Sequence, residues 1–302
     1  MTSKRDNLWY QVKKNWLAYL YISPFYILFV IFGLFPILFS LFLSFNSWDG
    51  IGQMQWVGIS NYIALLKDRL FWKALINTLV YIGLITHLIM LTLALIIAFL
   101  INSEIVKYKD FFKMAYFAPN VTSSVAVSII FLTLYGVQYG LINYLLQSIG
   151  LKPIDWWGGT GFWVKPAIMI LFIWRWLGWN IVIYLAGLQS IPTELYDAAK
   201  VDGASLFQVF RHITIPLLRP VILFSVILSI IGTITTFDEP YMLVGSMGGT
   251  NNSGLTLGLY LYLTGFEWGK FGYASALSYL MFILIVIISI INWKIFAGRP
   301  IQ

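Results

Sequence analysis

From Leu84 to Leu100, and again from Leu277 to Ile291, the chain runs without one aspartate, glutamate, lysine or arginine. A helix that crosses a bilayer needs about 20 such residues, because each adds only 1.5 Å of rise. Lipid offers no partners to backbone N–H and C=O groups, so a spanning segment is either a helix or a strand of a closed barrel. Barrel strands alternate apolar and polar residues over about ten positions, and these runs do not alternate. They are helices.

Six segments of this kind lie near 18–45, 75–101, 114–135, 164–189, 219–243 and 273–296. The expected fold is all-α, a polytopic membrane protein with about six transmembrane helices. Pro24, Pro36 and Pro119 fall in or beside these spans, where a missing N–H and a crowded ring predict kinks. Composition agrees. Only 10% of the residues are charged and the mean hydropathy is +0.82, whereas a soluble surface draws on about 25% charged residues.

The net charge of +7 is spread between the apolar runs and not gathered on one element. That pattern fits basic inside loops better than a nucleic-acid surface. With the N-terminus in the cytoplasm, twelve lysines and arginines fall inside, Lys4, Arg5 and Arg299 among them, against six outside. Both termini are therefore expected in the cytoplasm. Trp48, Trp156, Trp157 and Trp163 are placed where an aromatic belt would lie. With no cysteine, and with His87 and His212 far apart, no metal or thiol site is expected. The first apolar run is too long for a cleavable signal. One membrane domain, 18–296, is flanked by a cytoplasmic segment, 1–17, and a tail, 297–302.

The loop at about 191–216 is the informative one. Thr193 is a candidate N-cap, with Glu194 and Asp197 near the positive end of a helix. Asp202-Gly203 breaks that helix. Ser205 and Gln208 form a capping box for the next, on which Leu206, Val209, Phe210 and Ile213 make an apolar ridge. Two short helices at an angle could form a knob for another protein's groove. An Asp-Gly turn between capped helices could equally be an ordinary loop.

The residues themselves are more specific. Asp197-Ala198-Ala199, Asp202-Gly203-Ala204, Phe207, Ile213 and Pro216 resemble the EAA loop of binding-protein-dependent ABC transporter permeases, with Asp197 where that family most often has Glu. Trp56-Val57-Gly58-Ile59-Ser60-Asn61-Tyr62, Phe71-Trp72, Asn77-Thr78, Phe237-Asp238 and Gly272-Tyr273-Ala274-Ser275-Ala276 are similar to the sugar-permease branch. After the fifth span, Val244 to Thr250 lacks the proline of that branch's Thr-Gly-Gly-Pro turn. The resemblance covers roughly residues 15 to 298.

This likeness implies a type I ABC importer permease: one of two homologous permeases lining the path, served by two cytoplasmic ATPases and an extracytoplasmic solute-binding protein. It implies a multi-pass protein of a prokaryotic cytoplasmic membrane, taking up a sugar, an oligosaccharide first. Glu194, Asp197, Ala198, Ala199, Asp202, Gly203, Ala204 and Phe207 would couple to the ATPases. ATP and magnesium would be bound by those partners, and this chain would not be an enzyme. Consistently, it has no phosphate-binding loop of the Gly-x-x-x-x-Gly-Lys-Ser/Thr type; Gly265-Phe266-Glu267-Trp268-Gly269-Lys270-Phe271 is one residue short and lacks the hydroxyl.

A sugar site wants aromatic faces and hydrogen-bonding groups in a cavity. The fourth span offers Trp174-Arg175-Trp176-Leu177-Gly178-Trp179-Asn180. Arg175 inside a span should face a cavity or a partner, or pair with an acid such as Asp238 or Glu239. Likeness to the maltose-transporter permeases points to Trp174, Leu177 and Gly178, and further to Asn120, Ser124 and Thr235. Gly178 would let a solute approach the backbone. Each polar residue has an alternative role in binding a neighbouring helix. Three other readings are open: a permease for a sugar phosphate or polyol, an ion-gradient-driven secondary transporter, and a membrane scaffold. The second and third leave the coupling loop without a use.

Overall fold

The computed structural model describes residues 8–103 and 106–297. Lys4, Arg5, Arg299 and most of the tail lie outside the described residues. Among the described residues, five helices are long and apolar enough to cross a membrane: Trp16–Ser44, Arg69–Asn102, Val164–Gln189, Leu206–Thr235 and Phe271–Ile295. A further pair, Lys109–Val121 and Ser124–Leu134, is bent by 96° and counts as one broken span. With that pair there are six, as expected.

Several boundaries differ from expectation. The second span begins at Arg69 and not near 75. The fifth begins at Leu206 and not near 219, because the expected second short helix of the loop runs on into it. The third span, placed at 114–135, is not one rod. Thr122 (φ −77°, ψ 142°) and Ser123 (φ −53°, ψ 137°) are extended, and the break falls three residues after Pro119. The fifth span, placed at 219–243, ends at Thr235. Thr236 is extended, and a new helix runs Asp238–Val244. Asp238 and Glu239 suit a helix N-terminus, and Pro240 in the first turn gives up an N–H that would be unpaired there anyway. Hydropathy alone does not register that signal.

The prolines of the first span do not break it. Val30–Leu34 is a π-helical stretch just before Pro36, and Phe210–Thr214 is another just before Pro216. A proline ring crowds the carbonyl four residues back, and a wider turn at that point relieves the crowding while keeping the helix continuous.

Three apolar cores hold the helices. At the end that carries the loop at about 191–216, Ala94 and Ala98 of the second span let it approach Tyr184, Leu185 and Leu188 of the fourth, the close packing that small residues allow. At the opposite end, Leu65, Phe71 and Ala74 pack with Leu257–Leu263, Ala276 and Leu277. The third core joins Val127, Phe131 and Tyr135 to the start of the fourth span and to Leu243. Trp156 belongs to this core and not to a belt: it is buried, 4.6 Å from Tyr135 and 5.8 Å from Trp163 by ring centroids. A two-residue antiparallel ladder, Asn46↔Trp56 and Ser47↔Gln55, closes the loop that follows the first span. The first span touches mainly the last, through Tyr279 and the Ile37 carbonyl at 2.5 Å. From Trp16 to Leu34 it buries no residue within the chain.

Candidate functional site

The loop at about 191–216 folds from its own residues. Its first helix runs Thr193–Val201 and its second begins at Leu206. At the join, Gly203 N–H donates to Lys200 O at 3.1 Å and Ala204 N–H to Ala199 O at 2.9 Å. These are the two bonds of a Schellman motif, which needs a left-handed residue at the turn. Gly203 supplies it, at φ +72°. Ser205 then caps the second helix: Gln208 N–H donates to its Oγ at 3.4 Å, and Ser205 N–H donates to Gln208 Oε1 at 2.7 Å. The capping box is as expected. Thr193 is not the N-cap: Pro192 occupies that position, and Thr193 is the first helical residue.

The expected apolar ridge is split. Val209 is buried, whereas Leu206 is 65% exposed and Phe207 67% exposed. Leu195 and Val201, on the first helix, are also exposed, Val201 to 88%. Tyr196 and Ile191 join the core at this end, and Phe210 meets Phe99 edge to face at 5.0 Å. Glu194, Asp197, Ala198 and Asp202 are exposed, and Lys200 pairs with Asp197 at 3.5 Å. The knuckle is thus fixed at its base and apolar at its tip.

The second group of residues gathers where the third and fifth spans break. Arg175 Nη1 lies 2.5 Å from Glu239 Oε1, with both side chains buried. Its Nη2 donates to the Thr122 carbonyl at 3.3 Å. Thr236 Oγ1 donates to the other oxygen of Glu239 at 3.1 Å, and Ser124 Oγ to Asp238 Oδ2 at 3.2 Å. A broken helix inside a membrane leaves backbone groups that must find partners in the protein. Arg175 caps one of them, and Thr256 Oγ1 caps another, the Thr236 carbonyl, at 2.9 Å.

Beside this group is a cavity of about 90 Å³ lined by His87, Met90, Phe172, Trp176, Trp179, Asn180, Leu228, Ser229, Gly232, Thr233 and Thr236. His87 Nδ1 is 2.9 Å from the carbonyls of both Ile82 and Gly83. Carbonyls only accept, so that nitrogen carries the proton. Its Nε2 is 3.1 Å from Thr233 Oγ1. Asn180 accepts from Ser225 Oγ at 2.6 Å and donates to Trp176 O at 3.1 Å.

Four of the nine expected path residues fall in these two places. Asn180 lines the cavity. Ser124, Arg175 and Asp238 lie at the breaks. Thr235, one residue from the cavity wall, is exposed and bonds back to Ile231 O at 2.9 Å. Trp174 lies partly exposed against Phe131, ring centroids 5.4 Å apart, and Leu177 is half-buried. Asn120 Nδ2 is buried and has no hydrogen-bond partner among the described residues. Gly178 requires a correction. A Cβ there would sit 1.9 Å from the Tyr116 carbonyl oxygen, so the close approach it permits is between helices. His87, Ser229 and Thr233 were not singled out from sequence; a polar residue every three or four positions on one side of the fifth span was the available signal.

A model of the binding-protein-dependent transport system inner membrane components matches residues 90–297. The lactose transport permease LacF of Rhizobium radiobacter is 39% identical over 279 residues, 91% of this chain and 92% of that protein. The arabinooligosaccharide transport permease AraP of Bacillus subtilis is 38% identical over 280 residues, 92% of this chain and 87% of that one. Among solved structures, a chain of a bacterial ABC transporter that imports the acidic polysaccharide alginate superposes with a TM-score of 0.82 at 25% identity, over 97% of this chain and 99% of the other.

Proposed function

The chain belongs to the family of binding-protein-dependent transport system inner membrane components, and from that premise we propose that it is one permease of an ATP-driven importer for an oligosaccharide. The observation that carries the proposal is the knuckle at Gly203. Leu195, Val201, Leu206 and Phe207 stand uncovered on a loop whose base is locked into the helices. An apolar tip of this kind fits a groove on a separate ATPase subunit, which would bind ATP and magnesium. Glu194, Asp197, Ala198, Ala199, Asp202, Gly203, Ala204 and Phe207 form the docking unit. In this reading the loop is cytoplasmic, as are both termini, and the protein crosses the cytoplasmic membrane of a prokaryote.

The solute path runs past the cavity. Two indoles, Trp176 and Trp179, offer faces for a sugar ring, and Asn180, Ser229, Thr233 and Thr236 offer donors and acceptors. Asn120, Ser124, Trp174, Leu177, Thr235 and Asp238 extend the path toward a homologous second permease. Lactose and arabinooligosaccharides, named for the two relatives, are the first solutes to try. An extracytoplasmic binding protein delivers the solute at the end opposite the knuckle. Motion of the knuckle, driven by the ATPases, changes which side of the membrane the cavity faces.

The test is ATP hydrolysis by the complete transporter in nanodiscs, with its binding protein and a panel of oligosaccharides. One sugar should stimulate, and Trp179→Ala should raise the concentration needed for half-stimulation at least tenfold. Stimulation by a peptide or an ion in place of any sugar would remove the substrate class.

A further inference from the structure

We propose that Arg175 is a positioning residue for transport: it holds the breaks of the third and fifth spans together and so sets the shape of the solute cavity at Thr236. This rests on the reading of that cavity as the solute site. The relation is a chain of bonds. The Thr122 carbonyl, at the break of the third span, accepts from Arg175; Arg175 pairs with Glu239; Glu239 accepts from Thr236, which lines the cavity. Ser124 to Asp238 is a second tie between the same two breaks.

Arg175 lies eleven residues into the fourth span, about 16 Å along its axis at 1.5 Å per residue. At that depth a cation is kept only with a partner or a purpose. Arg175 as a residue is 8% exposed and Glu239 4% exposed. A fork of planar donors can serve a carboxylate and a carbonyl together, which a lysine ammonium at the end of a flexible stem does poorly. Removing one member of a buried pair strands the other's charge. Glu239, left with Thr236 as its donor, would shift toward whatever other donors or water it can reach and draw Thr236 with it. The cavity wall would move with it. Nη1 and Nη2 each make a bond within the chain, and Nε is buried with the rest of the residue, so the proposal assigns Arg175 no direct contact with the solute.

The experiment uses the assembled transporter with its binding protein, and lactose and arabinotriose as probes. Arg175→Gln and Glu239→Gln should each raise KM for uptake more than tenfold while the maximal rate falls less than fivefold. The exchanged pair R175E/E239R keeps the ion pair but loses the donor to the Thr122 carbonyl and the acceptor for Thr236. Its KM should therefore stay at least fivefold above wild type, and Arg175→Lys should fall between wild type and Arg175→Gln. A readout independent of solute is available because the chain contains no cysteine. A cysteine placed at exposed Thr235 should react with a maleimide at least threefold faster or slower in the Arg175→Gln background. If Arg175→Gln does not assemble, Arg175→Lys and the exchanged pair carry the test. Unchanged KM and unchanged labelling in the assembled variants would overturn the proposal. Loss of solute affinity in Arg175→Gln with none in Glu239→Gln would overturn it too, in favour of direct contact. Trp179→Ala separates the two readings: no effect there, with a raised KM in Arg175→Gln, removes the indole site and keeps the clamp.

Discussion

Asn77 Nδ2 donates to the carbonyl of Asn252 at 3.0 Å, joining positions 175 residues apart. The same group donates to Leu255 O at 3.0 Å, and Thr78 Oγ1 accepts from Leu257 N–H at 2.8 Å. Two neighbouring side chains at the head of the second span therefore anchor a loop in which Asn251 and Asn252 are both left-handed. Asn77→Leu should leave two carbonyls without this donor. A buried unsatisfied group costs about 1–3 kcal/mol, so the variant should melt several degrees lower and be cut sooner by protease between 245 and 256. Equal melting and equal cleavage would mean that water replaces the amide.

Asp68 precedes the second span and accepts from the hydroxyls of Tyr260 and of Tyr273, the latter at 2.7 Å. Burial by itself raises its carboxyl. The two phenols and the N–H groups of Leu70 and Phe71 outweigh burial and hold it below its ordinary value of 3.8. A depressed carboxylate stabilises the fold fully above its unfolded value, and that contribution disappears as pH falls through the lower folded value. Wild type should therefore lose stability as pH drops from 5 toward 3. Asp68→Asn should start lower at pH 6 and vary less across that window. Parallel melting curves for the two proteins over this range would refute the assignment.

Gly203 is left-handed at φ +72°, and a Cβ there would meet nothing within 4 Å. The objection to other residues is conformational and not steric crowding. Asn tolerates this region and valine does not. Gly203→Asn should keep more than half of solute-stimulated ATP hydrolysis, whereas Gly203→Val should lose at least fivefold with the complex still assembled. Equal activity in both would show that the turn does not transmit.

Gly178→Ala places a methyl 1.9 Å from the Tyr116 carbonyl oxygen and 2.4 Å from its carbon. Backbone cannot rotate away as a side chain can, so the third and fourth spans must separate. Overpacking of this kind costs about 1–3 kcal/mol, read as a lower melting temperature. An unchanged melting temperature would mean that this crossing is loose.

Much of this arrangement is legible in the sequence, for identifiable reasons. Helical spans follow from hydropathy because lipid leaves no other solution. The Gly203 turn and the Ser205–Gln208 box are local, and each is encoded within about six residues. Less legible are the breaks at Thr122 and Thr236, which lie inside stretches apolar enough to pass as continuous. Their stability comes from Arg175 and Thr256, residues 53 and 20 positions away. Glu239 and Asp238 are equivalent candidates for Arg175 in sequence; only the geometry assigns the pair to Glu239. Gly178 reads from sequence as room for a ligand, because nothing local reveals that Tyr116 already fills it.

The ten-residue π-helical stretch from Asn77 to Thr86 has a consequence for anyone scanning the second span by substitution. An α-helix turns 100° per residue, but a wider winding turns less, and the shortfall accumulates over those ten positions. Sensitive sites at the head of the span, near Asn77, and at its tail, near Ala94 and Ala98, will not fall on one continuous stripe of a helical wheel. A single-phase periodicity fit will blur or miss the signal. Fitted separately above and below the stretch, the same data should resolve into two clean faces with an angular offset between them, and that offset measures how much of the unwinding persists in the membrane.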